Sequence, residues 1–77
     1  MGVHVLYDPE QRIAAIYDSV SGFAFGPTFT EAGDGTSAED LAEEFIAAFA
    51  GDPRGFPDRE LEDTYADVIL KHQKQPT

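Results

Sequence analysis

Three β-type runs at the start of the chain lie too close together for any connection but a hairpin, and this constrains the first half of the fold. Val3-His4-Val5-Leu6-Tyr7 and Arg12–Asp18 are rich in β-branched and aromatic residues, and Phe23–Thr30 follows them closely. Asp8-Pro9-Glu10-Gln11 and Ser19-Val20-Ser21-Gly22 separate the runs, with Pro9 suited to the second position of a turn. A parallel pair needs a crossover of roughly a dozen residues or more, so the expectation is an antiparallel meander with Arg12–Asp18 in the middle. In the third run Phe23, Phe25, Pro27 and Phe29 alternate with Ala24, Gly26, Thr28 and Thr30. Pro27 has no N–H for a ladder, so Gly26-Pro27 predicts an edge strand with a bulge or break.

Two helices follow a polar, glycine-rich loop, Glu31–Thr36. Ser37–Gly51 carries Leu41, Ala42, Phe45, Ala48 and Phe49 at helical spacing, with Glu39, Asp40, Glu43 and Glu44 on the other side. Ser37 is the expected N-cap, and Gly51 the expected left-handed closing residue. Asp52-Pro53-Arg54-Gly55 reads as a type I turn. A second helix starts near Pro57 or Asp58, with Leu61, Tyr65, Val68, Ile69 and His72 as its apolar stripe. Asp67 and Lys71 are spaced for an i, i+4 ion pair, and Lys71, His72 and Lys74 suit the negative end of the helix dipole. Gln75-Pro76-Thr77 is expected to fray.

The strands-then-helices order predicts one α+β domain over residues 1–74, a three-stranded meander with two helices packed on one face. In the larger alternating set, Val3, Val5, Tyr7, Ile13, Ala15, Tyr17, Phe23, Phe25 and Phe29 lie under the helices, the first helix packing on Phe23, Phe25 and Tyr17. The opposite face then holds His4, Leu6, Ala14, Ile16, Ala24 and Thr28. Two helices cannot cover both sides of a sheet, and this second face is nearly uncharged. Leu6, Ala14 and Ile16 are accordingly the candidate contact of a homodimer.

Charge is distributed unevenly. Residues 31–67 hold twelve carboxylates against Arg54 and Arg59, a net of −10 that equals the formal charge of the whole chain. Such a field disfavours direct contact with a phosphate backbone and favours a basic partner. With no cysteine, disulfides and thiolate metal sites are excluded. No apolar run approaches the length of a membrane span, the start does not read as a signal peptide, and Leu6 spoils a myristoylation motif at Gly2. A cytoplasmic location is expected.

Chemical motifs are weak. Ser21-Gly22-Phe23-Ala24-Phe25, followed by Phe29, resembles the aromatic core of the RNA-recognition motif. Ser21 stands where that signature has a basic residue, Gly26-Pro27 breaks its register, and βββαα is not that fold's order. Only Asp34 precedes Gly35 at an EF-hand-like position, so the calcium spacing fails. His4 and His72 stand beside no serine at a telling spacing, and Gly33-Asp34-Gly35 lacks a phosphate-cradling lysine. No catalytic residue, metal or cofactor is expected, and the reading is not an enzyme.

Phe25-Gly26-Pro27-Thr28-Phe29, Ala42-Glu43-Glu44-Phe45, Asp52-Pro53-Arg54 and Glu60-Leu61-Glu62 together resemble small acidic domains of phage and bacterial genomes. The resemblance implies no activity and points to a phage or bacterial accessory protein. Two functional expectations follow. One is a non-enzymatic interaction module that docks on a protein, with a basic surface expected, through its acidic helical face (Glu39, Asp40, Glu43, Glu44, Glu62 and Asp63) or through its open sheet face. The other is a nucleic-acid mimic that occupies a partner's phosphate-binding groove.

Overall fold

The computed structural model describes residues 2–73; the expected domain end at residue 74 and the frayed tail 75–77 lie outside them. Strands β1 (Val3–Asp8), β2 (Ile13–Asp18) and β3 (Phe23–Thr30) form one antiparallel sheet in the order β1-β2-β3. Helices α1 (Ala38–Ala47) and α2 (Asp58–Lys71) follow, so the chain is an α+β fold of βββαα order. Helix α1 packs across all three strands, and α2 packs on α1. From α2, Tyr65 reaches the sheet through an edge contact with the Phe29 ring, centroids 5.2 Å apart.

Both hairpins are closed by the same device. Asp8 Oδ1 accepts the N–H groups of Glu10 (2.9 Å) and Gln11 (3.3 Å), and Asp18 Oδ1 those of Val20 (2.9 Å) and Ser21 (3.4 Å). Each aspartate carbonyl then accepts from the residue four positions on, Arg12 at 2.7 Å and Gly22 at 2.8 Å. Both of those residues are left-handed, at φ 58° and 81°. Arg12 therefore belongs to the turn, and β2 starts one residue later than its composition suggests.

The even length of these loops fixes which side of β2 is buried. Four residues separate the paired Asp8 and Ile13, so Val5 lies opposite Ile16 and Tyr7 opposite Ala14. Directly paired residues share a face, and a shift of one residue exchanges the faces. The expected phase of β2 is thus reversed. Ala14 and Ile16 are fully buried under α1, whereas Tyr17 lies on the open face with its ring 5.1 Å from His4. The open face is consequently built from His4, Leu6, Ile13, Ala15, Tyr17 and Ala24.

β3 is an edge strand, and it bulges as Gly26-Pro27 requires. Three residues, 26–28, stand opposite Ala15 alone, with Gly26 at φ 76°. Two extra residues preserve the alternation, so Phe25 and Phe29 face the same way. Phe29 is fully buried and Phe25 packs against the core, but Phe23, at the strand's start, is 73% exposed and does not lie beneath α1 as expected.

Ser37 caps α1 by accepting from Asp40 N–H at 3.1 Å. Leu41, Ala42, Phe45 and Ile46 turn inward together with Phe49, while Ala48, expected in the stripe, is exposed. The helix closes with Gly51 N–H on the Ile46 carbonyl (3.1 Å) and Ala50 N–H on the Ala47 carbonyl (3.0 Å). This is the Schellman pattern, and the residue at its left-handed turning point is Ala50, at φ 58°, ahead of Gly51 at 94°. The following turn runs one residue later than expected: Phe56 N–H meets the Pro53 carbonyl at 3.4 Å. Gly55 sits in its third position at φ 88°, as type II requires.

Two substitutions test these points. Ile16→Ala is expected to lower stability by about 2–5 kcal/mol, as for a buried isoleucine, and Ile13→Ala on the open face by clearly less. A larger loss for Ile13→Ala in urea unfolding would reverse the assigned face. Ala50→Gly is expected to raise stability by about 0.5–1 kcal/mol, read as a higher urea midpoint at unchanged slope, because an L-residue in the left-handed region is strained.

Candidate functional site

With the apolar stripes of both helices turned inward, what α1 and α2 present to solvent is mainly carboxylate. Glu39, Asp40 and Glu43 on α1 and Asp58, Glu60, Glu62, Asp63 and Asp67 on α2 are all exposed. No described cation forms an ion pair with any of these eight. Among the described residues the basic side chains other than Arg59 pair elsewhere. Arg12 lies 3.8 Å from Glu31. Arg54 grips Asp52 through Nε (2.8 Å) and NH2 (2.8 Å) and reaches Asp18 at 3.5 Å. Lys71 pairs with Glu44 of α1 at 3.0 Å and not with Asp67, the partner that helical spacing suggested. Arg59 is without an ion pair.

Glu44, expected on the free acidic face, is therefore an internal tie. Its Oε1 meets His72 Nε2 at 2.8 Å, while Asp34 Oδ2 meets His72 Nδ1 at 2.7 Å and Thr36 Oγ1 lies 3.1 Å from the same nitrogen. Asp34 N–H also donates to the His72 carbonyl at 3.0 Å. The end of α2 is thus clamped to α1 and to the 31–36 loop. Two carboxylates on the two ring nitrogens are satisfied together only by the doubly protonated ring. Glu44 and then Asp34 raise the His72 pKa. Asp34 is held down at about 2, first by the Thr36 N–H and then by the Thr36 hydroxyl and His72, and Glu44 is lowered by His72 and Lys71. An imidazolium has no lone pair with which to take the Thr36 proton, so this cluster acts as a clamp rather than a general base. Among the described residues no group of three or more His, Asp or Glu is arranged to hold a metal ion. Positions 34, 44 and 72 share no helical or strand period, which is why no spacing in the sequence signals the clamp.

The remaining expected site residues fall into separate places. Glu62 and Asp63 are exposed on α2, and Leu6 is 50% exposed on the open sheet face. Ala14 and Ile16, expected beside Leu6 as a dimer contact, are fully buried on the opposite side of the sheet and cannot take part in one. Phe25 and Phe29 also pack toward the helices, whereas an RNA-recognition sheet needs its aromatics on the open side. No described helix is long and apolar enough to cross a membrane.

One concave feature adjoins the acidic surface. A groove of about 310 Å³ runs between the β3 bulge and α2, lined by Gly26, Pro27, Asp58, Leu61, Glu62 and Tyr65. The α2 residues recur at i, i+3, i+4 and i+7, a single helical stripe that begins and continues with a carboxylate.

No family model, curated protein or solved structure matches the chain. The class defined by fold and surface is a small βββαα domain with an unneutralised acidic helical side.

The clamp predicts a pH dependence. Because the folded pKa of His72 is raised, the native state holds its proton more tightly than the unfolded chain. Its contribution is full below about pH 6.5 and is lost as pH rises through the folded value. The lowered Asp34 acts at the other end: its contribution is present above about pH 4 and lost as pH falls toward 2. The difference in urea midpoint between the parent and His72→Gln is expected to shrink between roughly pH 6 and 9. A difference that is flat or grows across that range would contradict the clamp.

Proposed function

We propose that this chain is a small non-enzymatic interaction module, of phage or bacterial accessory type, that docks on a protein with a basic surface through α1 and α2. The observation that carries the reading is the set of eight exposed helical carboxylates without a cationic partner, in a domain where the described cations other than Arg59 are engaged elsewhere. Glu39 and Glu43 stand one turn apart as like charges, a pair that costs a few tenths of a kcal/mol. A basic partner relieves that repulsion and is drawn in by the field.

The test uses immobilised domain and host-cell extract at two salt concentrations, with a variant carrying Glu39→Gln, Asp40→Asn, Glu43→Gln, Glu62→Gln and Asp63→Asn. Capture at low salt is expected to fall steeply toward 1 M, where the screening length is about 3 Å, and to be lost in the variant. A partner that the variant retains equally at high salt would rule out the acidic surface. Displacement by duplex DNA distinguishes a nucleic-acid mimic from a module that docks elsewhere on its partner.

A further inference from the structure

We propose that the groove between the β3 bulge and α2 is the specificity pocket of this surface, and that it takes one arginine side chain of the basic partner. This rests on the function proposed above and adds which residues select the partner. The floor is apolar: Leu61 is buried, Pro27 and Tyr65 are half-buried, and Gly26 contributes no side chain to obstruct it. The rim is anionic, with Asp58 and Glu62 one helical turn apart, which places their Cβ atoms about 5–6 Å from each other. Both are exposed, and neither is ion-paired.

That combination matches an arginine better than other occupants. An apolar side chain would fill the floor but would strip water from two carboxylates without pairing them, which is costly. An arginine lays its methylene stem on Leu61 and Pro27 and offers a weakly hydrated planar cation to both carboxylates and to the Tyr65 ring. At about 310 Å³ the groove has ample room for an arginine side chain. Its mouth opens on the acidic side of α2, where an approaching basic segment is already concentrated by the field.

The test titrates the ¹⁵N-labelled chain, at about 0.15 M salt, with a peptide of roughly a dozen residues bearing four arginines among serines and glycines, and with its citrulline counterpart. The arginine peptide is expected to shift the amides of Gly26 and residues 58–65 saturably, and the citrulline peptide to leave them in place. Asp58→Asn with Glu62→Gln is expected to weaken binding about tenfold, whereas Glu39→Gln with Glu43→Gln, an equal loss of charge on α1, weakens it only about two- to threefold. Both double variants alter exposed positions, and an unchanged urea midpoint verifies that each is folded. Equal weakening by the two pairs, shifts spread over both helices, or binding of the citrulline peptide would overturn the pocket while leaving the acidic docking surface intact. No binding of the arginine peptide even at low salt would remove both.

Discussion

The contact on which the rest of the structure depends is that of Phe29 with Phe45, two fully buried rings whose centroids are 5.7 Å apart. It joins β3, an edge strand, to the helix that covers the sheet. Around it the rings form a continuous row: Tyr65 on Phe29 at 5.2 Å, Phe45 on Phe49 at 5.2 Å, and Phe49 on Phe56 at 4.6 Å. Each tilted or edge-on pair adds about 0.5–1.5 kcal/mol beyond the area it buries. In so short a chain the core is small, and this row links α2, the sheet, α1 and the connecting turn through one set of contacts.

The acidic exterior follows from that core. Among the described residues no polar or charged side chain is buried, so the charge of the helical half is displaced to the surface. Local ties then take up most of the described cations. Arg54 closes on Asp52 and Asp18, and the Asp52 carboxylate is held at about 2, first by the Arg54 side chain and then by its N–H. His72 and Lys71 close on Glu44 and Asp34. Of the carboxylates left over, eight lie on α1 and α2, and Asp58 and Glu62 among them line the groove at the β3 bulge. Members of one acidic set thus end in different places: Glu44 ties α1 to the end of α2, and Glu62 lines the groove.

Much of this was legible locally. Short loops forced a meander, Ser37 announced its helix, Gly26-Pro27 announced a bulge, and the apolar spacing of α2 identified Leu61, Tyr65 and Val68. Local cues failed where two conformations were nearly equivalent. Ile13-Ala14-Ala15-Ile16-Tyr17 is apolar on both sides, so residue size alone favoured the wrong phase. Arg12 and Ala50 occupy left-handed positions that composition assigns to glycine, which displaced the start of β2 and the closing residue of α1.

By itself, then, the sequence determined the element order, the antiparallel pairing, the first helix cap, the bulge and the sign of the field, because each depends on neighbours or on summed charge. Only the tertiary structure decided which face of β2 is buried, since that depends on the parity of a loop and on where α1 lies. It alone converted Glu44 from a surface charge into a clamp with His72 and Asp34, residues 28 and 38 positions from His72. It alone set the Asp58–Tyr65 stripe against Gly26-Pro27 to make a groove. In each case the deciding interaction joins residues far apart in the chain, and no local period records it.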